Sequence, residues 1–208
     1  MATETDPNRV KRVPGTGFER QTISACLIVM NEAERLREAL ESVSFCDEVI
    51  VVDGGSTDGT QQVARDLGAT LIEHPWPGYA KQRNVAIHAA TSEWVLEVDA
   101  DERISPGLAR EIEEFLCDPP ASLDMAILPL RDTFLGRTLG PSAKYPKYRN
   151  RLFRKASYLH DEQRLVHEGL IPKGEVQPMR NELVHILASD WREAFGDCVR
   201  YARLEAKH

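Results

Sequence analysis

The stretch Glu48–Glu73, EVIVVDGGSTDGTQQVARDLGATLIE, decides the fold. Glu48–Val52 is a short apolar run rich in valine and isoleucine, the composition of a strand buried on both faces. Asp53-Gly54-Gly55-Ser56 stops it. The spacing then predicts a helix over about 58–67, with Val63, Ala64 and Leu67 inward, and Gly68 closes it. Ala69–Glu73 reads as the next strand. Strand, helix and strand in that order make a parallel crossover unit, which lays helices on the face of a sheet.

The same alternation extends in both directions. Upstream, Thr22–Val29 (TISACLIV) reads as a strand and Glu32–Val43 as a helix, with Leu36, Ala39, Leu40 and Val43 on one stripe. Downstream, His74–Gly78 breaks the chain, Tyr79–Ala90 reads as a helix, and Glu93–Val98 as a strand ending at Asp99. Ser105 and Pro106 open a further helix as N-cap and first helical residue. Its stripe is Leu108, Ile112, Phe115 and Leu116. The expected fold is α/β, a mostly parallel sheet covered by helices on both faces, with an irregular C-terminal part. In that part Met125–Leu130, Arg151–Phe153 and Gln177–Val184 look like strands. Ser189–Lys207 patterns as a final amphipathic helix. The expected layout is a tail over 1–20, one domain over 21–188, and a helix over 189–208 trimmed from something longer.

Composition narrows the function. The chain has 208 residues, of which 42% are hydrophobic, enough for one well-packed domain. Twenty-six Lys and Arg stand against 33 Asp and Glu, for a net charge of −7, which argues against a general nucleic-acid binder. No apolar run is long enough to suggest a membrane span, and the first residues do not pattern as a secretory signal. Cys26, Cys46, Cys117 and Cys198 form no CxxC pair. They read as inert thiols in a reducing, cytosolic setting.

In open α/β sheets ligands bind beyond the carboxyl ends of the strands. Those ends carry Met30-Asn31-Glu32, Asp53-Gly54-Gly55-Ser56 and Asp99-Ala100-Asp101-Glu102. On an extended chain Asp99 and Asp101 would point the same way. Paired carboxylates suit Mg²⁺ or Mn²⁺, which take one or two carboxylates and fill their remaining positions with water and phosphate oxygens. The competing structural reading is a solvated acidic loop. For Asp53-Gly54-Gly55-Ser56 it is a tight turn capping the next helix. Two other functions compete: a haloacid-dehalogenase-type phosphatase with Asp99 as nucleophile, and a binding module without turnover. Neither a dinucleotide fingerprint nor a P-loop is present.

Residues 22–60 and 78–104 resemble the family 2 glycosyltransferases of the GT-A fold. The resemblance rests on LIVMNEAERL (27–36), EVIVVDGGSTDGT (48–60), GYAKQRNVAIHAA (78–90) and WVLEVDADERISP (94–106). PWPGYAKQRN (75–84), TFLGRTL (133–139), YPKYRNRLFRK (145–155) and VHEGL (166–170) are similar to the bacterial lipopolysaccharide core β-glucosyltransferase group. The resemblance implies an inverting transfer of a hexose, first of all glucose from UDP-glucose, onto a lipopolysaccharide-core or similar surface glycan. It implies that Asn31, Glu32 and Asp53 border the nucleobase, and that Lys81, Arg83 and Asn84 contact nucleotide and phosphate. Asp99 would hold the ribose or a metal-bound water, and Asp101 the metal. Inversion in one displacement needs a general base. Glu168 is the candidate, with His167 beside it to hold the diphosphate or serve as a further metal ligand, and Asp161 and Glu162 are the alternatives.

Residues 133–160 contain no Asp or Glu but carry Arg137, Lys144, Lys147, Arg149, Arg151, Arg154 and Lys155 among aromatic residues. That strip suits an anionic partner, such as a diphosphate, a phosphorylated glycolipid acceptor or a headgroup surface at the inner face of the cytoplasmic membrane. Arg149, Arg151 and Arg154 are its acceptor-side candidates. The competing reading is a solvated basic loop. His74, His88 and His185 stand singly and read as packed or solvated. Trp76 either walls the nucleotide site or packs.

Overall fold

A computed structural model describes residues 11–12, 19–140, 146–162, 170–188 and 191. The strands are β1 (Ile23–Val29), β2 (Glu48–Asp53), β3 (Thr70–Glu73), β4 (Trp94–Glu97), β5 (Glu102–Ile104), β6 (Met125–Phe134), β7 (Lys147–Arg154) and β8 (Leu183–Ala188). The helices are α1 (Ala33–Ser42), α2 (Thr60–Asp66), α3 (Tyr79–Ala89) and α4 (Pro106–Cys117). The sheet order is β3-β2-β1-β4-β7-β6-β8-β5. From β3 to β4 every pairing is parallel. β7 then pairs antiparallel with both β4 and β6, β8 runs parallel to β6, and β5 closes the order antiparallel to β8.

The apolar runs form these strands because both sheet faces are covered. All seven residues of β1 are buried. Ala25, Leu27 and Val29 meet Leu36, Ala39 and Leu40 of α1 and Leu108, Ile112 and Leu116 of α4 in one core. Cys26 and Ile28 point the other way, into a second core with Ala86 and Ile87 of α3, Phe153 and Tyr158. Burial pushes the thiols of Cys26 and Cys46 well above the usual range, as expected of inert cysteines. α4 starts as the sequence predicts, with the Ser105 side chain accepting from Leu108 N at 3.2 Å.

Three points differ from the sequence reading. Lys11–Arg12 pairs antiparallel with Glu19–Arg20, so strand structure begins inside the expected tail. Arg20 is buried and forms an ion pair with Asp47 at 2.7 Å. Glu102–Ile104, to which the sequence pattern assigns no element, is a strand, because β8 supplies its backbone partners. The segment expected as one strand over 177–184 is a two-residue bridge at Gln177–Pro178 followed by β8. Of the expected final helix only Trp191 lies among the described residues, and it is helical, with its ring edge-on to Phe134 at 6.2 Å.

Trp94 is the largest fully buried side chain. Its ring packs edge-to-face on Phe115 at 5.1 Å, its Nε1 donates to Gln21 Oε1 at 2.7 Å, and Arg154 lies over it at 4.6 Å. Trp94→Ala is expected to cost about 3–5 kcal/mol in urea unfolding; a loss under about 1 kcal/mol would contradict this packing.

Candidate active site

The carboxyl ends of β1, β2 and β4 form one edge, and two loops there are tied together by side chains. Asn31 N donates to Ser56 Oγ at 2.8 Å, and Thr57 N donates to Asn31 Oδ1 at 2.8 Å. Asn31 sits at φ 58°, a left-handed conformation that asparagine tolerates. Glu32 N donates to Thr60 Oγ1 at 2.8 Å, and Ala33 N to Asp58 Oδ2 at 3.1 Å, so the loop after β2 caps the start of α1. Gly54 is required by a close approach: a Cβ there would lie 2.8 Å from the Trp76 ring. Trp76 is part exposed and edge-on to Tyr79 at 4.9 Å.

Asp53 organises this loop. It is fully buried, and its Oδ2 accepts from Gly55 N, Ser56 N and Gln61 Nε2 at 3.1, 3.0 and 2.8 Å, while Ser56 Oγ donates to Oδ1. Burial pushes its pKa up, but these hydrogen bonds outweigh burial and hold it below the usual carboxylate range. Asp53, expected at the nucleobase, is engaged with its own loop and shapes that loop's surface.

Asp99-Ala100-Asp101 is a turn, not an extended segment. Glu102 N donates to Asp99 O at 2.9 Å, and Asp99 N donates to Glu102 Oε2 at 3.0 Å. The two carboxylates consequently have different partners. Arg83 Nη2 of α3 donates to Asp99 Oδ1 at 2.6 Å, and Arg151 Nη2 of β7 donates to Asp99 Oδ2. Arg151 Nη2 also reaches Glu102 Oε1 at 2.9 Å. Behind them lies Glu97, buried, 3.7 Å from Arg83 and 3.9 Å from Arg151, with His160 Nε2 at 2.6 Å. Burial raises the Asp99 and Glu97 pKa values, yet the guanidinium groups hold both below their ordinary values. Arg151 Nε is buried with no hydrogen-bond partner.

Asp101 faces other groups. Its carboxylate is 33% exposed, 4.0 Å from Arg35 Nη1 and 3.5 Å from His185 Nε2. The imidazole's Nδ1 lies 2.8 Å from Asp132 Oδ1. Hydrogen bonding to Asp101, opposed by burial and joined by Asp132, raises the His185 pKa to about 9, so the ring is a cation at neutral pH. His185 is thus not a solitary packed histidine.

Both oxygens of Asp99 accept from arginines and its side chain is 31% exposed, so any ligand at Asp99 would share it with those two ion pairs. Asp101 and His185 face each other as a carboxylate oxygen and an imidazole nitrogen, a pair that would suit a divalent ion once the ion displaces the proton on the ring. Among the described residues no group of three or more His, Cys, Asp or Glu forms a metal cage.

Other expected positions are sorted by the same geometry. Lys81 stands exposed on α3. Asn84 is buried and is not a phosphate contact: its amide donates to His160 O at 2.9 Å and to Glu162 Oε1 at 3.1 Å, and it accepts from His160 N at 2.8 Å. Arg154 pairs opposite Trp94, at the far end of β4, and bonds Leu123 O and Gln21, so it is not an acceptor residue. Arg149 is exposed on β7. Arg151 is committed to the acidic cluster. Glu168, His167 and Lys144 lie outside the described residues. Glu97, Glu102, Asp132, His160, Arg35 and His185 were not expected. Glu97 alone carried a signal, as a carboxylate inside the apolar run Trp94–Val98. A separate cleft of about 820 Å³, lined by Glu111, Phe115, Tyr148 and Arg180 among others, shares no residue with this edge.

Comparison with known proteins agrees with this layout. The model of the family described as Glycosyl transferase family 2 matches residues 24–171. The lipopolysaccharide core biosynthesis glycosyltransferase LpsC of Rhizobium meliloti (strain 1021) is 31% identical over 169 residues, covering 78% of this chain and 62% of that protein. An uncharacterized glycosyltransferase of Rickettsia felis is 47% identical over 94 residues, covering 45% of this chain and 33% of that protein. The chain therefore spans from about a third to three fifths of the length of these relatives. S. aureus TarS 1-349 in complex with UDP-GlcNAc superposes with a TM-score of 0.59 at 18% identity, covering 83% of this chain and 60% of that one. That likeness is one of fold, the GT-A arrangement.

Two predictions follow from the charges. Arg151→Ala leaves buried carboxylates uncompensated and is expected to cost about 3–5 kcal/mol, against about 0.5 kcal/mol or less for the exposed Arg149→Ala. Equal costs in denaturant unfolding would refute the cluster. Asp53, with its depressed pKa, contributes stability above its unfolded pKa of about 3.9 and loses it as pH falls through its lower folded value. The stability gap between the wild type and Asp53→Asn should narrow on acidification below about pH 4; a constant gap would contradict the loop role.

Proposed function

Because the chain belongs to glycosyl transferase family 2, we propose that it transfers a hexose from a UDP-sugar, first of all UDP-glucose, to a sugar of a lipopolysaccharide core or similar surface glycan. The observation that carries this reading is Asp101, part exposed at the carboxyl edge of the parallel strands and faced by His185. The acceptor class comes from LpsC, named for lipopolysaccharide core biosynthesis, and the donor class from TarS, crystallised with UDP-GlcNAc.

The loops at Asn31–Glu32 and Asp53–Thr57 would border the nucleobase, with Asp53 acting through the loop it holds. Lys81, exposed on α3, would meet the diphosphate. Asp101 and His185 would hold Mg²⁺ or Mn²⁺, which when bound supplies a Lewis acid for the charge growing on the departing diphosphate. Asp99, fixed by Arg83 and Arg151, keeps the turn that presents Asp101. An inverting displacement needs a base on the face opposite the leaving group. Glu168 remains the candidate, with His167 beside it to hold the diphosphate or the metal, and Asp161 and Glu162 as alternatives; both of those are exposed. Arg149 and the basic strip would meet an anionic glycolipid at the inner face of the cytoplasmic membrane. Among the described residues no helix is long and apolar enough to cross a membrane.

UDP release from UDP-hexoses, measured with core oligosaccharide as acceptor, tests the reading. The wild type should turn over one UDP-hexose, and Glu168→Gln should slow it by about 10²–10⁴-fold. Turnover at the wild-type rate in Glu168→Gln moves the base elsewhere, and release that ignores the acceptor contradicts the transferase reading.

A further inference from the structure

Strand register sets three acidic groups around one imidazole. β8 runs between β6 and β5, and His185 stands opposite Asp132 on one side and Glu102 on the other. The backbone continues the link: Ile186 N donates to Asp101 O at 2.8 Å, so β8 is laid directly against the turn that carries Asp101. The imidazole is consequently held at both nitrogens, Nδ1 by Asp132 at 2.8 Å and Nε2 facing Asp101 at 3.5 Å. The other oxygen of Asp132 is 3.6 Å from Lys147 Nζ, which keeps that carboxylate ionised and oriented without competing for the ring.

We propose that Asp132 is a positioning residue that holds His185 at Nδ1 and so turns its Nε2 toward Asp101, the side on which a divalent ion would be held. The inference rests on the reading that Asp101 and His185 hold the ion. A neutral imidazole has two tautomers, and only one presents Nε2 as a donor atom. An ionised carboxylate accepting from Nδ1–H selects that tautomer, locks the ring plane and makes Nε2 more basic toward a metal. An ion held there would take the place of the proton on Nε2, released to solvent, while the Nδ1 proton would stay in its bond to Asp132. Without Asp132 the ring is free to turn or to place its proton on Nε2. Asp132 thus acts on the ion only through His185, which separates it from the ligands themselves. It lies just ahead of the TFLGRTL stretch (133–139), and its spacing from His185 in sequence conceals the contact.

The test uses Mn²⁺, titrated into the whole chain alone and with UDP, and followed by electron paramagnetic resonance. The variants are Asp132→Asn, Asp132→Ala and His185→Ala. Pulsed spectra of bound Mn²⁺ report a coordinated imidazole by its nitrogen modulation. In the wild type the modulation should be present. It should vanish in His185→Ala, and both Asp132 variants should bind Mn²⁺ about 10–100-fold more weakly with diminished modulation. Asp132→Asn keeps the side-chain shape, so its melting temperature separates a folding defect from a metal defect. Wild-type affinity and modulation in both Asp132 variants would overturn the positioning role and leave the metal reading standing. Unchanged Mn²⁺ binding in His185→Ala would overturn both. Strong binding without nitrogen modulation in the wild type, abolished in Asp132→Asn, would make Asp132 a direct ligand and also overturn the proposal.

Discussion

Three carboxylates gather at the end of β4, and two guanidinium groups make that tolerable. Glu97, Asp99 and Glu102 are drawn into one cluster with Arg83 from α3 and Arg151 from β7. Unpaired, buried carboxylates would protonate or unfold the site. Paired, they fix the geometry of the turn. The two arginines come from opposite halves of the molecule, one from the parallel crossover units and one from the antiparallel strand beside them. The cluster thus adds side-chain ties between the two halves of the sheet, which β4 and β7 already pair.

The cluster divides labour between Asp99 and Asp101. Both are about one-third exposed, but Asp99 is paired with two arginines and anchors the turn, whereas Asp101 lies between Arg35 and His185. Repulsion between the pair is relieved by the protein's own cations, so the turn is formed before any ligand arrives. Such preformed geometry lowers the ordering cost that binding would otherwise carry.

The parallel half was legible because its signals are local. β1, β2 and α4 follow from continuous apolar runs, one helical stripe and a Ser-Pro start, and each is where the pattern places it. β5 and β8 are short and half-polar, and they exist because they pair with each other and with β6, contacts that the sequence does not advertise. The site divides in the same way. Asp101 stands out by its place after a strand. His185 and Asp132 are dozens of residues away from it and become neighbours only through sheet register. Asn84 and Arg154 misled for the converse reason. Their residue types suit phosphate, but α3 and β7 turn the first toward His160 and place the second at the wrong end of the sheet.

The most direct measurement is a crystal structure with UDP and Mn²⁺, with the ion placed by its anomalous scattering. The account predicts a peak between Asp101 and His185 Nε2, with Asp99 still bound to Arg83 and Arg151. A peak on Asp99, or an Asp99 released from both arginines, would contradict it.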